Sequence, residues 1–179
     1  MSDITEISDP EEVEAAWRRV FLSNDAFSWS FREEAWAGRV FYPTDGYALT
    51  AEQYRQLVSA VRAAGEQEFL LSVVESEALT FLERSWGHYR CRVGTPYDEY
   101  RDLNLTLENA LYSARGTWGV LISHEEHALL AGIAEIIAAL DRMHESWQDD
   151  IRRLRAMWEG NENAGWVEPV ADRVISQLP

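Results

Sequence analysis

Lysine is absent from this 179-residue chain: all 16 basic residues are arginine, set against 31 acidic ones. Without lysine there is no Schiff-base nucleophile, and the phosphate-binding loop GxxxxGK[ST] cannot be written. The dinucleotide fingerprint GxGxxG is missing as well. Cys91 is the single cysteine, so no internal disulfide can form, and with four histidines few thiolate metal cages can be assembled. That usage fits a reducing cytoplasm. No run of about 18 apolar residues occurs, which predicts no membrane span. The stretch MSDITEISDPEEVEAA is acidic where a secretory signal is basic and then apolar. A formal charge of −15 opposes binding to nucleic acid through phosphate neutralisation and favours a basic partner instead. The lack of lysine itself is most simply a mark of GC-rich coding.

What is present is enough for one globular domain: 46% of residues are hydrophobic, and eight are tryptophan. Asp9-Pro10-Glu11-Glu12 supplies a cap, a proline at the first helical position and a glutamate at the third, so a helix is expected to start there with Val13, Ala16, Trp17, Val20 and Phe21 on its apolar face. Thr50 to Gln53 is a second capping box, and its helix should stop at Gly65. Residues 24 to 49 mix aromatics with the turn signal Pro43-Thr44-Asp45-Gly46 and predict one short helix or strand. Strands are expected near 69–74, 86–93, 103–112, 117–123 and 128–131, with Cys91 pointing inward and His88 on the opposite face. Tyr97 to Asp102 reads as a polar loop. From Ile133 to Trp158 apolar residues recur at steps of four and three, a heptad seam. One long helix and two helices meeting near His144 to Ser146 both satisfy that seam.

Helix, then strands, then helix predicts an α+β fold: an antiparallel β-meander with helices packed on one face. Its core should include Leu57, Val58, Leu71, Val73, Leu105, Trp118, Val120, Ile122, Ile137 and Leu140.

Few constellations carry chemistry. His124-Glu125-Glu126-His127 places two imidazoles at i and i+3 in a turn, where a zinc-peptidase helix needs i and i+4. A metal-dependent hydrolase at His124 and His127 is therefore the alternative and not the leading reading. A Cys–His nucleophile pair from Cys91 and His88 is geometrically poor. No catalytic residue, cofactor or metal site is assigned. Acidic residues interleaved with tyrosine remain: Tyr97, Asp98, Glu99, Tyr100 and Asp102 in one connection, Glu125 and Glu126 in another. Brought to one edge of a sheet, they would make a negative patch for an arginine- or lysine-rich protein. A third reading is a scaffold that dimerises through the seam from Ile133 to Trp158.

Residues 109 to 132, NALYSARGTWGVLISHEEHALLAG, resemble a segment of small acidic bacterial immunity-type proteins, which neutralise polymorphic or contact-dependent toxins. Gly116, Thr117, Trp118 and Gly119 in that stretch read as a hairpin with its core tryptophan. The resemblance implies a cytoplasmic protein without turnover that occludes a cognate toxin. A nuclease toxin, basic around its substrate groove, would suit the charge.

Overall fold

The computed structural model describes residues 3–74 and 87–176. Their elements run β1 (Ile4–Glu6), α1 (Pro10–Val20), β2 (Ala37–Phe41), α2 (Ala51–Ala63), β3 (Glu68–Val73), β4 (His88–Arg92), α3 (Tyr97–Asp102), β5 (Asn109–Tyr112), β6 (Trp118–Ile122), β7 (Ala128–Gly132), α4 (Ala134–Met143), α5 (Trp147–Trp158) and α6 (Val167–Ile175), the last preceded by a 3-10 turn at Ala164–Trp166. The seven strands form one antiparallel sheet in the order β1-β4-β3-β5-β6-β7-β2. The fold is α+β. Trp86, at the start of the strand expected near 86–93, lies outside the described residues, as does Gln177, where a last short helix expected from Glu168 would end.

Both capping signals act as read. The Asp9 carboxylate accepts from the Glu11 N–H, and Thr50 and Gln53 cap each other reciprocally. The meander from β3 to β7 is present, with the β4–β5 connection stepping over β3. Its two outer strands come from the N-terminal region: β1 was not foreseen, and β2 is the strand alternative for residues 24 to 49. β1 is only three residues long, and β2, Ala-Gly-Arg-Val-Phe, has no clean alternation. Gly38 in β2 has a packing reason: a Cβ there would sit 2.6 Å from the Trp29 ring.

Helices cover both faces of the sheet, not one. On each central strand alternate residues enter separate cores. Leu70, Ala110, Tyr112, Leu121 and Leu129 pack with α1, α5 and α6. Phe69, Leu71, Leu111, Val120 and Leu130 pack with α2, α3 and α4. A strand buried on both sides shows a continuous apolar run instead of alternation. Gly119 to Ile122 and Ala128 to Ala131 are such runs, and reading only their alternate positions hides the second face. Eight of the ten expected core residues are buried; Val73 and Leu105 are half-buried. The expected strand over 103–112 begins only at Asn109, so Leu105 lies in the connection that follows α3.

The seam from Ile133 to Trp158 is two helices. α4 lies on one face and α5 on the other, so the chain rounds the β2 edge at His144–Ser146. Ile137 and Leu140 enter one core, Trp147, Ile151 and Leu154 the other, and no coiled-coil surface is left for dimerisation. Two buried charges hold this corner. The Arg39 side chain, 3% exposed, donates to Asp141 of α4 (Nε–Oδ1 2.7 Å), and its guanidinium lies 4.1 Å from the ring centroid of Trp147 in α5. The Asp150 carboxylate, 2% exposed, accepts from His144 Nε2 at 3.0 Å, from the Tyr42 N–H at the end of β2, and from Arg153.

Trp118 is fully buried, and replacing it with alanine should cost about 3–5 kcal/mol in denaturant unfolding. Gly119 faces α1: a Cβ there would stand 2.6 Å from Phe21 Cζ and closer still to Val20. Gly119→Ala should therefore cost about 1–3 kcal/mol by overpacking, whereas alanine at Gly165, which meets nothing within 4 Å, should not.

Candidate functional site

The segment expected as a tyrosine-rich loop is the helix α3, packed beside α2. Its tyrosines are turned inward. Tyr100 is 1% exposed, stacks on Tyr54 at 4.7 Å, and accepts the Leu49 N–H through its hydroxyl at 3.0 Å. Tyr97 is half-buried and donates its hydroxyl to the Leu49 carbonyl at 3.1 Å. Together they clamp both polar groups of the residue before the α2 cap, so Tyr100 offers no surface to a partner. Burial, helped by Asp45 and Asp98 and opposed by Arg101, raises the Tyr97 phenol above its ordinary range. Asp98 and Asp102 are exposed on α3. Glu99 is half-buried and accepts the Asp3 N–H at 3.3 Å, towards β1.

The second acidic segment is the β6–β7 turn. Ser123 Oγ accepts the Glu125 N–H at 2.9 Å, and Glu126 adopts φ +55° with its side chain in solvent. The Glu126 carbonyl accepts the Thr44 N–H at 2.8 Å. One residue along, Asp45 pairs with Arg101 of α3 at 3.1 Å. The turn at residues 43–48 thus bridges the end of α3 to the β6–β7 turn. At this end of the sheet Asp45 pairs with Arg101, Glu108 and Glu125 flank His124, and the Glu126 carbonyl is joined to the Asp45 turn through Thr44, while Asp102 is exposed at the end of α3. Asp98 and Glu99 lie on the earlier turn of α3. Asp45 and Glu108 are additions that sequence reasoning missed. Asp45 was visible only as a turn residue, and the position of Glu108 follows from the pairing of Asn109 with Ile122.

The two histidines of the turn diverge. His124 is exposed, its Nδ1 2.7 Å from Glu108 and its Nε2 3.4 Å from Glu125. His127 is fully buried, donates Nε2–H to the Ala26 carbonyl at 2.8 Å, stacks on Trp166 at 4.5 Å and meets the Phe27 ring edge-on. Burial drives its pKa down to about 4, against the opposing pull of the Ala26 bond, so the ring is neutral at pH 7. Among the described residues no group of three or more His, Cys, Asp or Glu side chains is placed to share a metal ion. Cys91 and His88 occupy opposite faces of β4 as expected. Burial raises the Cys91 thiol to about 12, leaving it unreactive, and lowers the His88 pKa. His88 Nδ1 instead meets Ser72 Oγ at 2.9 Å, and that oxygen lies 2.8 Å from the Tyr112 hydroxyl. This polar chain is buried between three neighbouring strands.

No protein-family model matches the chain, nor does any curated protein or solved structure. None of the described helices is long and apolar enough to cross a membrane.

His127 makes a signed prediction. An unfolded histidine titrates near pH 6.5 and the folded one near 4, so between those values the unfolded chain binds more protons. Its contribution to stability is complete above pH 6.5 and is lost as pH falls towards 4. Unfolding free energies of the wild type and His127→Phe, measured by urea titration across that window, should converge by about 3 kcal/mol on acidification.

Proposed function

We propose that the protein is an acidic binding protein without turnover, an immunity-type inhibitor that neutralises a basic toxin, such as a nuclease, by occluding it in the cytoplasm. The observation that carries this reading is the acidic rim at one end of the sheet, where Asp45, Glu108, Glu125 and Glu126 come from three separate connections and Asp102 stands at the end of α3. Carboxylates on adjoining turns sum their potentials over a surface much larger than any one of them, which speeds encounter with a cationic partner. The support for a hydrolase at His124 and His127 is weaker, because one ring faces solvent and the other is committed to the interior. Tyr97 and Tyr100 enter the proposal as supports of α3, with the carboxylates making the contact.

The reading predicts a toxin-domain gene immediately upstream, and the test is co-expression with the product of that gene. Rescue of growth together with co-purification is expected. The triple charge reversal Asp102→Arg, Glu125→Arg and Glu126→Arg should slow association about tenfold or more at low salt and flatten its salt dependence, with the thermal midpoint nearly unchanged. Undiminished association of the triple variant would remove the rim from the mechanism, and failure of rescue would remove the inhibitor reading.

A further inference from the structure

A cavity of about 630 Å³ lies between α2 and the turn that leads from β4 into α3, within the size range of small-molecule sites. It is separate from the acidic rim. Its apolar lining includes the half-buried Tyr97 and the buried Tyr54 and Val58. Both tyrosine hydroxyls are already bonded to backbone carbonyls, Tyr54 to Thr95 at 3.1 Å and Tyr97 to Leu49.

The charges along it are uneven. Glu52 and Arg55 pair with each other (Arg55 Nη1 to Glu52 Oε2 2.6 Å) and cancel. Arg62, two turns further along α2, pairs with no carboxylate among the described residues. Its Nη2 donates instead to the Val93 carbonyl at 2.7 Å, which pins the guanidinium beside Gly94. Among the described residues no backbone carbonyl takes up the Gly94 N–H. An arginine held in place by a neutral acceptor keeps its remaining N–H groups for an anion and pays little ordering entropy when one arrives.

We propose that this groove binds a small organic monocarboxylate with a flat apolar body, the body lying between Tyr54, Val58 and Tyr97 and the carboxylate meeting Arg62 and the Gly94 N–H. The single uncompensated positive charge matches a monoanion. The flat walls match an aromatic or alicyclic ring.

The experiment uses the full-length, nitrogen-15-labelled protein, with 2-naphthoate as probe and 2-naphthamide as its uncharged isostere. Naphthoate should shift the amide signals of Ser59, Gly94 and Thr95 saturably and bind about tenfold or more tightly than the amide, the difference expected of a charge-assisted hydrogen bond. Arg62→Gln, at an exposed position, should keep the dispersed spectrum of the folded protein and equalise the two ligands. Ser59→Trp should fill the groove and abolish both. Absence of saturable shifts at these residues up to the solubility limit of naphthoate would overturn the proposal. So would equal affinity of acid and amide for the wild type, or an undiminished preference for the acid in Arg62→Gln.

Discussion

A sheet that is apolar on both faces must be covered on both, and the route by which one chain achieves this organises the whole molecule. Here the chain crosses one face with α1 and the other with α2, then uses the β2 edge as the corner around which α4 and α5 change sides. That corner is where the interior admits charge. Arg39 and Asp150 are withdrawn from water, which is costly unless each is met by opposite charge and hydrogen bonds. Arg39 finds Asp141 and the face of Trp147; Asp150 finds His144, Arg153 and a backbone N–H of β2. Apart from the Arg153 pair, which lies within α5, each contact joins an element on one face to the edge strand or to the end of the helix on the other. Both helices are thereby tied to β2, whose outer edge would otherwise be open to pairing with another chain.

The same economy shapes the acidic end. Tyr97 and Tyr100 hold α3 against the residue that precedes the α2 cap, so the position of Asp102 depends on hydroxyls buried among aromatic rings. Arg101 and Thr44 then fasten the intervening turn to α3 on one side and to the β6–β7 turn on the other. Carboxylates that repel one another are kept in place by backbone and ring contacts beneath them. The rim is therefore supported from the interior, and its charge can vary without disturbing the core.

Local signals were legible in the sequence wherever the chemistry is local. Asp9 with Pro10, and Thr50 with Gln53, satisfy orphaned N–H groups within a few residues, and both helices start where those residues stand. β6 and β7 stand out by apolar content alone. What the sequence conceals is set by partners far away in the chain. β2 is a strand because β7 lies beside it, with Gly38 and Arg39 chosen by Trp29 and Asp141 instead of by strand propensity. Tyr97 to Asp102, rich in polar groups, is helical because two tyrosines dock onto Leu49 some 48 and 51 residues away. In the acidic site, residue type was readable and adjacency was not. Glu125 and Glu126 stand out as a pair in the chain, but Asp45 joins them only through the bridge from Thr44.

Cys91 is 1% exposed on β4 and is the chain's single thiol. A maleimide or disulfide reagent in solution cannot reach it while β4 remains packed, and its raised pKa removes the thiolate that such reagents attack. The protein therefore carries a built-in clock. Where the reagent attacks faster than β4 recloses, modification of that one sulfur proceeds at the rate at which β4 leaves the sheet, so a mass change of a single adduct counts opening events at a strand five places from the β2 corner and next to the β1 edge.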